Sequence, residues 1–222
     1  ELNSMNSETR EELASAFEEL DLDENVNVSI LTGSTGKAFI AGADIKEFSK
    51  MKIKDRKAMK EDWRVTDVIS NSKKPVIAMI NGFCLGGGLE IAMACDLRTA
   101  SDNSKLGQPE INIGIIPGAG GTQRLTKLVG EGRSMELILT GNMISATKAE
   151  SWGLVNLVTD EKQLEEKTME IATLIAQKSP FAVERAKKSV KLVSNTSMKK
   201  GLKMEQELFV ECFKSNDGKE GI

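Results

Sequence analysis

Residues 73–110 constrain the fold of this chain more than any other stretch, and they read KKPVIAMINGFCLGGGLEIAMACDLRTASDNSKLGQPE. The apolar run from Pro75 to Ile80 predicts a buried strand. A turn containing Gly86, Gly87 and Gly88, a short helix, a second strand and another turn follow it. Strand and helix patterns alternate through the first two thirds of the chain, and helical patterns fill the last third. The sequence therefore predicts an α/β protein with a helical C-terminal region.

The glycine turn and two carboxylates in this stretch suggest chemistry. A strand that leads through glycines into a helix leaves backbone N–H groups without partners, and such groups stabilise developing negative charge. Glu90 lies in an otherwise apolar helix, and Glu110 follows Gln108-Pro109. Structural explanations exist for each feature: a tight connection, a carboxylate at a helix start, and an ordinary turn carboxylate. Taken together they favour an acid/base site.

The composition excludes several other kinds of site. The chain contains no histidine and no tyrosine. Ser-His-Asp triads, Cys-His pairs and HExxH zinc sites are therefore excluded, and acid/base work falls to Asp, Glu, Lys or Cys. No Gly-x-x-x-x-Gly-Lys phosphate loop is present, and the glycines at 118–121 do not complete a dinucleotide-binding pattern.

Length and charge indicate one globular domain. The chain has 222 residues and a net charge of −3, so nucleic-acid binding is not expected. No apolar run is long enough to cross a membrane, and the first residues do not form a signal-peptide pattern. Three cysteines at irregular spacing predict free thiols in a reducing compartment; they are Cys84, Cys95 and Cys212.

Helix signals are clearest at the two ends of the chain. Asn6 or Ser7 can cap a first helix, and residues 33–48 are expected to form a loop that turns into a helix. Helices are predicted over 51–72 and at several places beyond 120. Residues 215–222 are expected to be frayed.

Four segments resemble the crotonase superfamily, and specifically its enoyl-CoA hydratases. They are FIAGADIKEF, NGFCLGGGLEIAMACD, GQPEINIGIIPGAGGTQRL and LTGNMISATKAESWGLVN. The resemblance implies a crotonase-like spiral of repeated β-β-α units over residues 1–160 and a helical trimerisation region over 161–222, forming a single functional unit. It also implies a homo-hexamer built as a dimer of trimers. Relatives extend beyond both ends, so the ends are expected to be truncated.

The resemblance also implies a set of site residues. Glu90 and Glu110 match the catalytic pair of the hydratases, and Ala43 and Gly87 match the two backbone N–H groups that hold the thioester oxygen. We expect Glu110 to donate the proton to the α-carbon and Glu90 to activate water. The full set of substrate or coenzyme A contacts expected is Ala41, Ala43, Asp44, Ile45, Lys46, Gly87 and Gly118.

The implied reaction is reversible hydration of a short-chain 2-trans-enoyl-CoA, or dehydration of the 3-hydroxyacyl-CoA in reverse. No metal and no cofactor are expected, since coenzyme A is part of the substrate. The alternatives are a double-bond isomerase, which needs only the carboxylate at 110, and an RNA-binding relative that uses the basic run 50–60. The expected compartment is the cytoplasm, or the mitochondrial matrix if a transit peptide has been removed.

Overall fold

The computed structural model describes residues 2–34, 37–44, 47 and 64–222. In these ranges the strands are β1 Ser29–Thr32, β2 Ala38–Ile40, β3 Val76–Ile80, β4 Phe83–Leu85, β5 Leu97–Ser101, β6 Lys105–Gly107, β7 Met143–Ser145 and β8 Leu157–Thr159. The α-helices are α1 Ser7–Leu22, α2 Arg64–Asn71, α3 Gly87–Ala94, α4 Gly121–Val129, α5 Glu131–Thr140, α6 Ala146–Ser151, α7 Leu164–Ala176, α8 Pro180–Leu192, α9 Met198–Lys214 and α10 Asn216–Gly221. Two 3₁₀ helices cover Pro109–Ile113 and Glu161–Gln163.

The strands form two interleaved sheets. One sheet has the order β1-β3-β5-β8 and is parallel throughout. The other has the order β2-β4-β6-β7 and is parallel except where β7 runs antiparallel to β6. From β1 to β6, successive strands thus alternate between the sheets, and helices return the chain to the next turn. This is the spiral of β-β-α units that the family resemblance implies.

The apolar run in the central stretch forms the middle of the first sheet. Val76–Ile80 pairs with β1 on one side and β5 on the other, and four of its five side chains are buried. A strand enclosed on both faces needs a continuous apolar sequence rather than an alternating one, as VIAMI shows. The predicted strand is confirmed.

All four strands of the second sheet were missed by the sequence patterns. The segment predicted as a loop at 33–48 contains β2, and β4, β6 and β7 also have only three residues each. Three residues are too few to display a period of two, so local sequence cannot identify them. Their pairing partners lie 22 to 45 positions away in the registers Ala38↔Phe83, Phe83↔Lys105 and Lys105↔Ser145.

The N-terminal segment forms a short ladder that positions the chain next to β2. Met5 donates its N–H to the carbonyl of Gly42 at 3.0 Å, and Asp44 donates to the carbonyl of Met5 at 3.0 Å. The bridge is parallel and pairs Met5 with Ala43. In this pattern Met5 bonds to the neighbours of Ala43, so the N–H of Ala43 is left for the opposite side.

The C-terminal helices are attached to the spiral through an ion cluster. Asp96 accepts a hydrogen bond from the backbone N–H of Val76 at 2.8 Å. Its carboxylate also pairs with Lys187 at 2.6 Å and with Lys191 at 3.0 Å, both on α8. Because the carboxylate and Lys187 are largely shielded from water, this cluster fixes α8 against the ends of β3 and α3.

Two further expectations concern the helices. The prediction of a frayed tail is wrong, because Asn216–Gly221 forms α10 with Ser215 as its cap. Ser179 also donates a hydrogen bond to Asp217 in this helix. Of the helix predicted over 51–72, Arg64–Asn71 is present and residues 51–63 lie outside the described ranges. The basic run 50–60 lies outside them too. No described helix is both long and apolar enough to cross a membrane.

Candidate active site

Glu90 projects from the first turn of the helix that follows the glycine turn. It is only 3 % exposed. Its Oε1 accepts hydrogen bonds from the backbone N–H groups of Ala119 and Gly121, each at 2.7 Å. Two N–H donors stabilise the ionised form of a carboxylate. The structure therefore holds one oxygen of Glu90 rigidly against the turn that precedes α4.

Glu110 enters the same space from the 3₁₀ helix that begins at Pro109. Burial, with a smaller contribution from the nearby Glu90, raises the pKa of Glu110 to about 7, against an opposing backbone hydrogen bond. The side-chain amide of Gln108 donates to both carboxylate oxygens, at 2.8 and 3.0 Å, in the orientation that avoids an oxygen-oxygen contact. These bonds also oppose the rise by favouring the charged form. Near neutral pH, Glu110 can hold or release a proton.

Gly86 allows these elements to come together. It precedes α3 with φ of 52°, a value that side chains with a Cβ rarely adopt. A Cβ at this position would lie 3.0 Å from Oε1 of Glu110. The glycine thus provides both the turn into the helix and the space for the second carboxylate.

Ala43 and Gly87, the two residues expected to offer backbone N–H groups, line a common space. The nitrogen of Ala43 lies 3.9 Å from the position that a Cβ on Gly87 would take. Gly87 is the first residue of α3, where helical N–H groups lack partners in the preceding turn. Within the described part of the chain, neither of these two N–H groups donates to a protein acceptor. Such a pair is suited to hold a negatively charged oxygen.

These groups surround one cavity of about 350 Å³. Both carboxylates line it together with apolar side chains from several elements. The larger apolar lining residues are Met5, Val65, Ile91, Pro109, Ile113, Ile115 and Ile116. The cavity therefore combines acid/base groups with a surface for an apolar substrate chain.

Most of the residues that the sequence analysis selected lie around this cavity. Ala41, Ala43 and Gly118 line it together with Gly87 and the two glutamates. Asp44 follows Ala43 but is not among the lining residues, and Ile45 and Lys46 lie outside the described ranges. The roles given to these residues stay predictions.

The structure adds residues that the sequence analysis did not select. Ala119 and Gly121 hold Glu90, Gln108 contacts Glu110, and Arg10 lines the cavity from α1. The glycine-rich run 118–121 before a helix was a usable signal for the first two, because such turns expose N–H groups. No comparable signal marks Arg10, which comes from a remote element.

The core cysteines do not contribute a reactive group. Burial raises the pKa of Cys95 to about 12, and it raises the pKa of Cys84 further. A thiolate nucleophile is therefore not available from either residue near neutral pH. In the described ranges, no three Cys, Asp or Glu side chains are grouped closely enough to bind a metal ion.

Comparison with known proteins identifies the family of this chain. The family model described as enoyl-CoA hydratase/isomerase matches residues 1–222. The chain belongs to this family. Among solved structures, an enoyl-CoA hydratase from Bacillus anthracis superposes with a TM-score of 0.94 at 42 % identity, covering 98 % of this chain and 85 % of that one. The spiral is thus the crotonase fold.

Curated members of the enoyl-CoA hydratase/isomerase family match the whole chain. A short-chain-enoyl-CoA hydratase from Clostridium acetobutylicum is 43 % identical over 222 residues, which are 100 % of this chain and 85 % of that protein. A crotonyl-CoA hydratase from Syntrophomonas wolfei is 40 % identical over 224 residues, again with 100 % and 85 % coverage. The matches extend through both the spiral and the C-terminal helices.

Proposed function

We propose that this protein catalyses the reversible hydration of a short-chain 2-trans-enoyl-CoA to the 3-hydroxyacyl-CoA. One observation carries the proposal: two carboxylates from different elements share a cavity with two backbone N–H groups that have no protein acceptor in the described ranges. Water addition to a conjugated thioester needs a base, an acid and a site for negative charge. The cavity offers all three.

The N–H groups of Ala43 and Gly87 would hold the thioester oxygen. When the oxygen of water bonds to C3, the electron pair of the C2–C3 double bond moves toward the carbonyl and forms an enolate. Two fixed donors and the start of α3 favour this charge, and each donor is worth roughly 3 kcal/mol in comparable sites. The donors do not have to reorient as the charge forms.

The two glutamates would divide the proton transfers. Glu90, whose ionised form is favoured by two backbone N–H bonds, takes a proton from the attacking water. Glu110, with its pKa raised to about 7, gives its proton to C2. The enolate electron pair forms the new C2–H bond, and the thioester carbonyl is restored. Proton exchange with solvent then returns Glu110 to the neutral form and Glu90 to the ionised form.

The size and lining of the cavity support a small acyl group. A volume of about 350 Å³ is near the lower end for ligand sites, which commonly span roughly 300–1,000 Å³. The names of the relatives from Clostridium acetobutylicum and Syntrophomonas wolfei support short-chain and crotonyl substrates. We propose that the reaction uses no cofactor, because the carboxylates and N–H groups can supply every step.

The C-terminal helices support assembly into a homo-hexamer. No residue of α8 is fully buried, and α9 buries only Leu208. The exposed apolar side chains are Val190 on α8 and Met198, Leu202, Phe209, Val210 and Phe213 on α9. We propose that copies of this chain cover these faces in trimers that pair. Sedimentation analysis tests this: a hexamer is expected, and a concentration-independent monomer would contradict it. The compartment stays a prediction.

The decisive test of the reaction is the loss of the conjugated enoyl absorbance of crotonyl-CoA. Glu90→Gln and Glu110→Gln keep the shape of each side chain and remove its acid/base function. We expect each variant to lose roughly 10²-fold or more in kcat. Glu12→Gln is the matched control, because Glu12 is an exposed carboxylate on α1, and it should retain wild-type activity.

The alternatives give different patterns in the same assay. If only Glu110 matters and a 3-enoyl-CoA is converted to the 2-enoyl isomer, the protein is an isomerase. If the wild-type chain does neither and binds RNA in a salt-sensitive manner, the basic run 50–60 carries the function. Either result would replace the hydratase assignment.

A further inference from the structure

Arg124 contacts the turn that holds Glu90. Its Nη1 donates to the backbone carbonyl of Ala119 at 2.8 Å. The N–H of the same residue, Ala119, donates to Glu90 at 2.7 Å. One residue of the turn is therefore held by the arginine and itself holds the carboxylate.

The guanidinium packs directly on the backbone of this turn. Gly120 has φ of 100°, and a Cβ built on it would lie 2.0 Å from Nη1 of Arg124. The backbone N–H of Arg124 donates to the carbonyl of Gly120 at 2.8 Å. The side chain thus fills the space that glycine leaves open and bonds to the carbonyl of Ala119, while the backbone N–H of Arg124 bonds to the carbonyl of Gly120.

Arg124 also connects the turn to a second part of the cavity wall. Its Nη2 lies 3.7 Å from Oδ1 of Asp67 on α2. The neighbouring residues on α2, Val65 and Thr66, line the cavity. Asp67 is largely exposed, so this ion pair is the weaker of the two contacts.

We infer that Arg124 is a positioning residue that fixes the turn 117–121, so that Ala119 and Gly121 hold Glu90 in place. It is not among the residues that line the cavity, so it acts on the reaction only through the turn. This inference rests on the proposed hydration. Planar arginine suits the role because it places one donor on Ala119 while another faces Asp67.

The test compares Arg124→Met and Arg124→Lys with Lys127→Met in crotonyl-CoA hydration. Lys127 is an exposed cation on the same helix, so its substitution removes equal charge without touching the turn. We expect Arg124→Met to lower kcat roughly 10- to 100-fold, as small misplacements of reacting groups do, with KM within about threefold. Arg124→Lys should recover part of kcat, because an ammonium can still reach the carbonyl of Ala119. Lys127→Met should match the wild type.

The outcomes separate this inference from the function it rests on. A wild-type chain without hydratase activity would refute the proposed function. An active wild-type chain with Arg124→Met within twofold of Lys127→Met would overturn the inference alone. A loss confined to KM would also overturn it, because holding Glu90 affects the chemical step rather than binding. If Arg124→Met does not fold, Arg124→Lys carries the test: a kcat equal to that of Lys127→Met then counts against positioning.

Discussion

The two carboxylates of the cavity, Glu90 and Glu110, are held by different kinds of contact. Glu90 is buried on an α-helix and accepts two backbone N–H bonds. Glu110 is half-buried on a 3₁₀ helix, contacts a side-chain amide and has a pKa raised to about 7. Two backbone donors on one oxygen fix Glu90 in place, while burial and the neighbouring Glu90 raise the pKa of Glu110 and let it exchange its proton. Two identical side chains thus acquire different chemistry from their surroundings.

The largest expected effect comes from disturbing the backbone contact to Glu90. In Gly121→Ala, the new Cβ would lie 2.9 Å from Oε1 of Glu90 and 2.7 Å from Cβ of Pro117. It would also lie 2.8 Å from the side-chain amide of Gln108. Because backbone and proline cannot yield easily, the Glu90 carboxylate and this amide must move, and we expect kcat to fall roughly 100-fold. Crotonyl-CoA kinetics measure it. Gly132→Ala, which meets nothing within 4 Å, is the control. Equal activity in both variants would show that Glu90 tolerates displacement.

Removing the Glu90 acceptor should destabilise the protein. Glu90→Leu fills the buried position and leaves the N–H groups of Ala119 and Gly121 without their partner. Unpaired buried donors cost about 1–3 kcal/mol, so we expect a loss near 2 kcal/mol and a Tm lower by roughly 4–8 °C. Thermal unfolding at fixed protein concentration measures it. A Tm at or above the wild-type value would mean that the hydrogen bonds from Ala119 and Gly121 to Glu90 do not stabilise the fold.

The pH dependence of hydration should report the protonation state of Glu110. The proposed acid must be protonated, and its pKa is raised to about 7. We therefore expect kcat/KM to fall about tenfold per pH unit above that value. Initial rates between pH 5.5 and 9, with an enzyme-free blank at each pH, measure it. A rate that stays constant to pH 9 would contradict the assignment of Glu110 as proton donor.

The smallest expected effect is a gain in stability when Glu110 is replaced by a neutral side chain. Its pKa is raised, so proton binding stabilises the fold fully below about 4.5, and this contribution is lost as pH rises through about 7. Glu110→Gln is neutral throughout and should be more stable than wild type at pH 8. We expect about 1 kcal/mol, discounted because the group is partly solvated, or a Tm higher by roughly 2–4 °C. The difference should close below pH 4.5. A destabilised variant at pH 8 would contradict the burial effect.

The sequence predicts some parts of this arrangement and not others for physical reasons. The buried strand Val76–Ile80 and the helix cap at Asn6 can be predicted because their signals are local. The three-residue strands are not, because their formation depends on partners far along the chain. The interleaved topology was implied by the family resemblance rather than by periodicity.

The same distinction applies to the site. The glutamates and the glycine turn can be selected from sequence because carboxylates in apolar surroundings and glycines before helices are unusual. The hydrogen bonds from Ala119 and Gly121 to Glu90 join residues 29 and 31 positions apart, so only the folded chain shows them. The raised pKa of Glu110 likewise depends on burial and on Glu90, which local sequence does not encode.

The alternation of strands between the two sheets has a consequence for folding. From β1 to β6, each strand finds its sheet neighbour only after the chain has passed through the other sheet. Neither sheet can therefore be completed while the other is absent, and most pairings join distant residues. Melting one sheet exposes the edges and packing of the other, so the two should unfold as one cooperative unit. The cavity and both of its carboxylates then form or disappear in a single event.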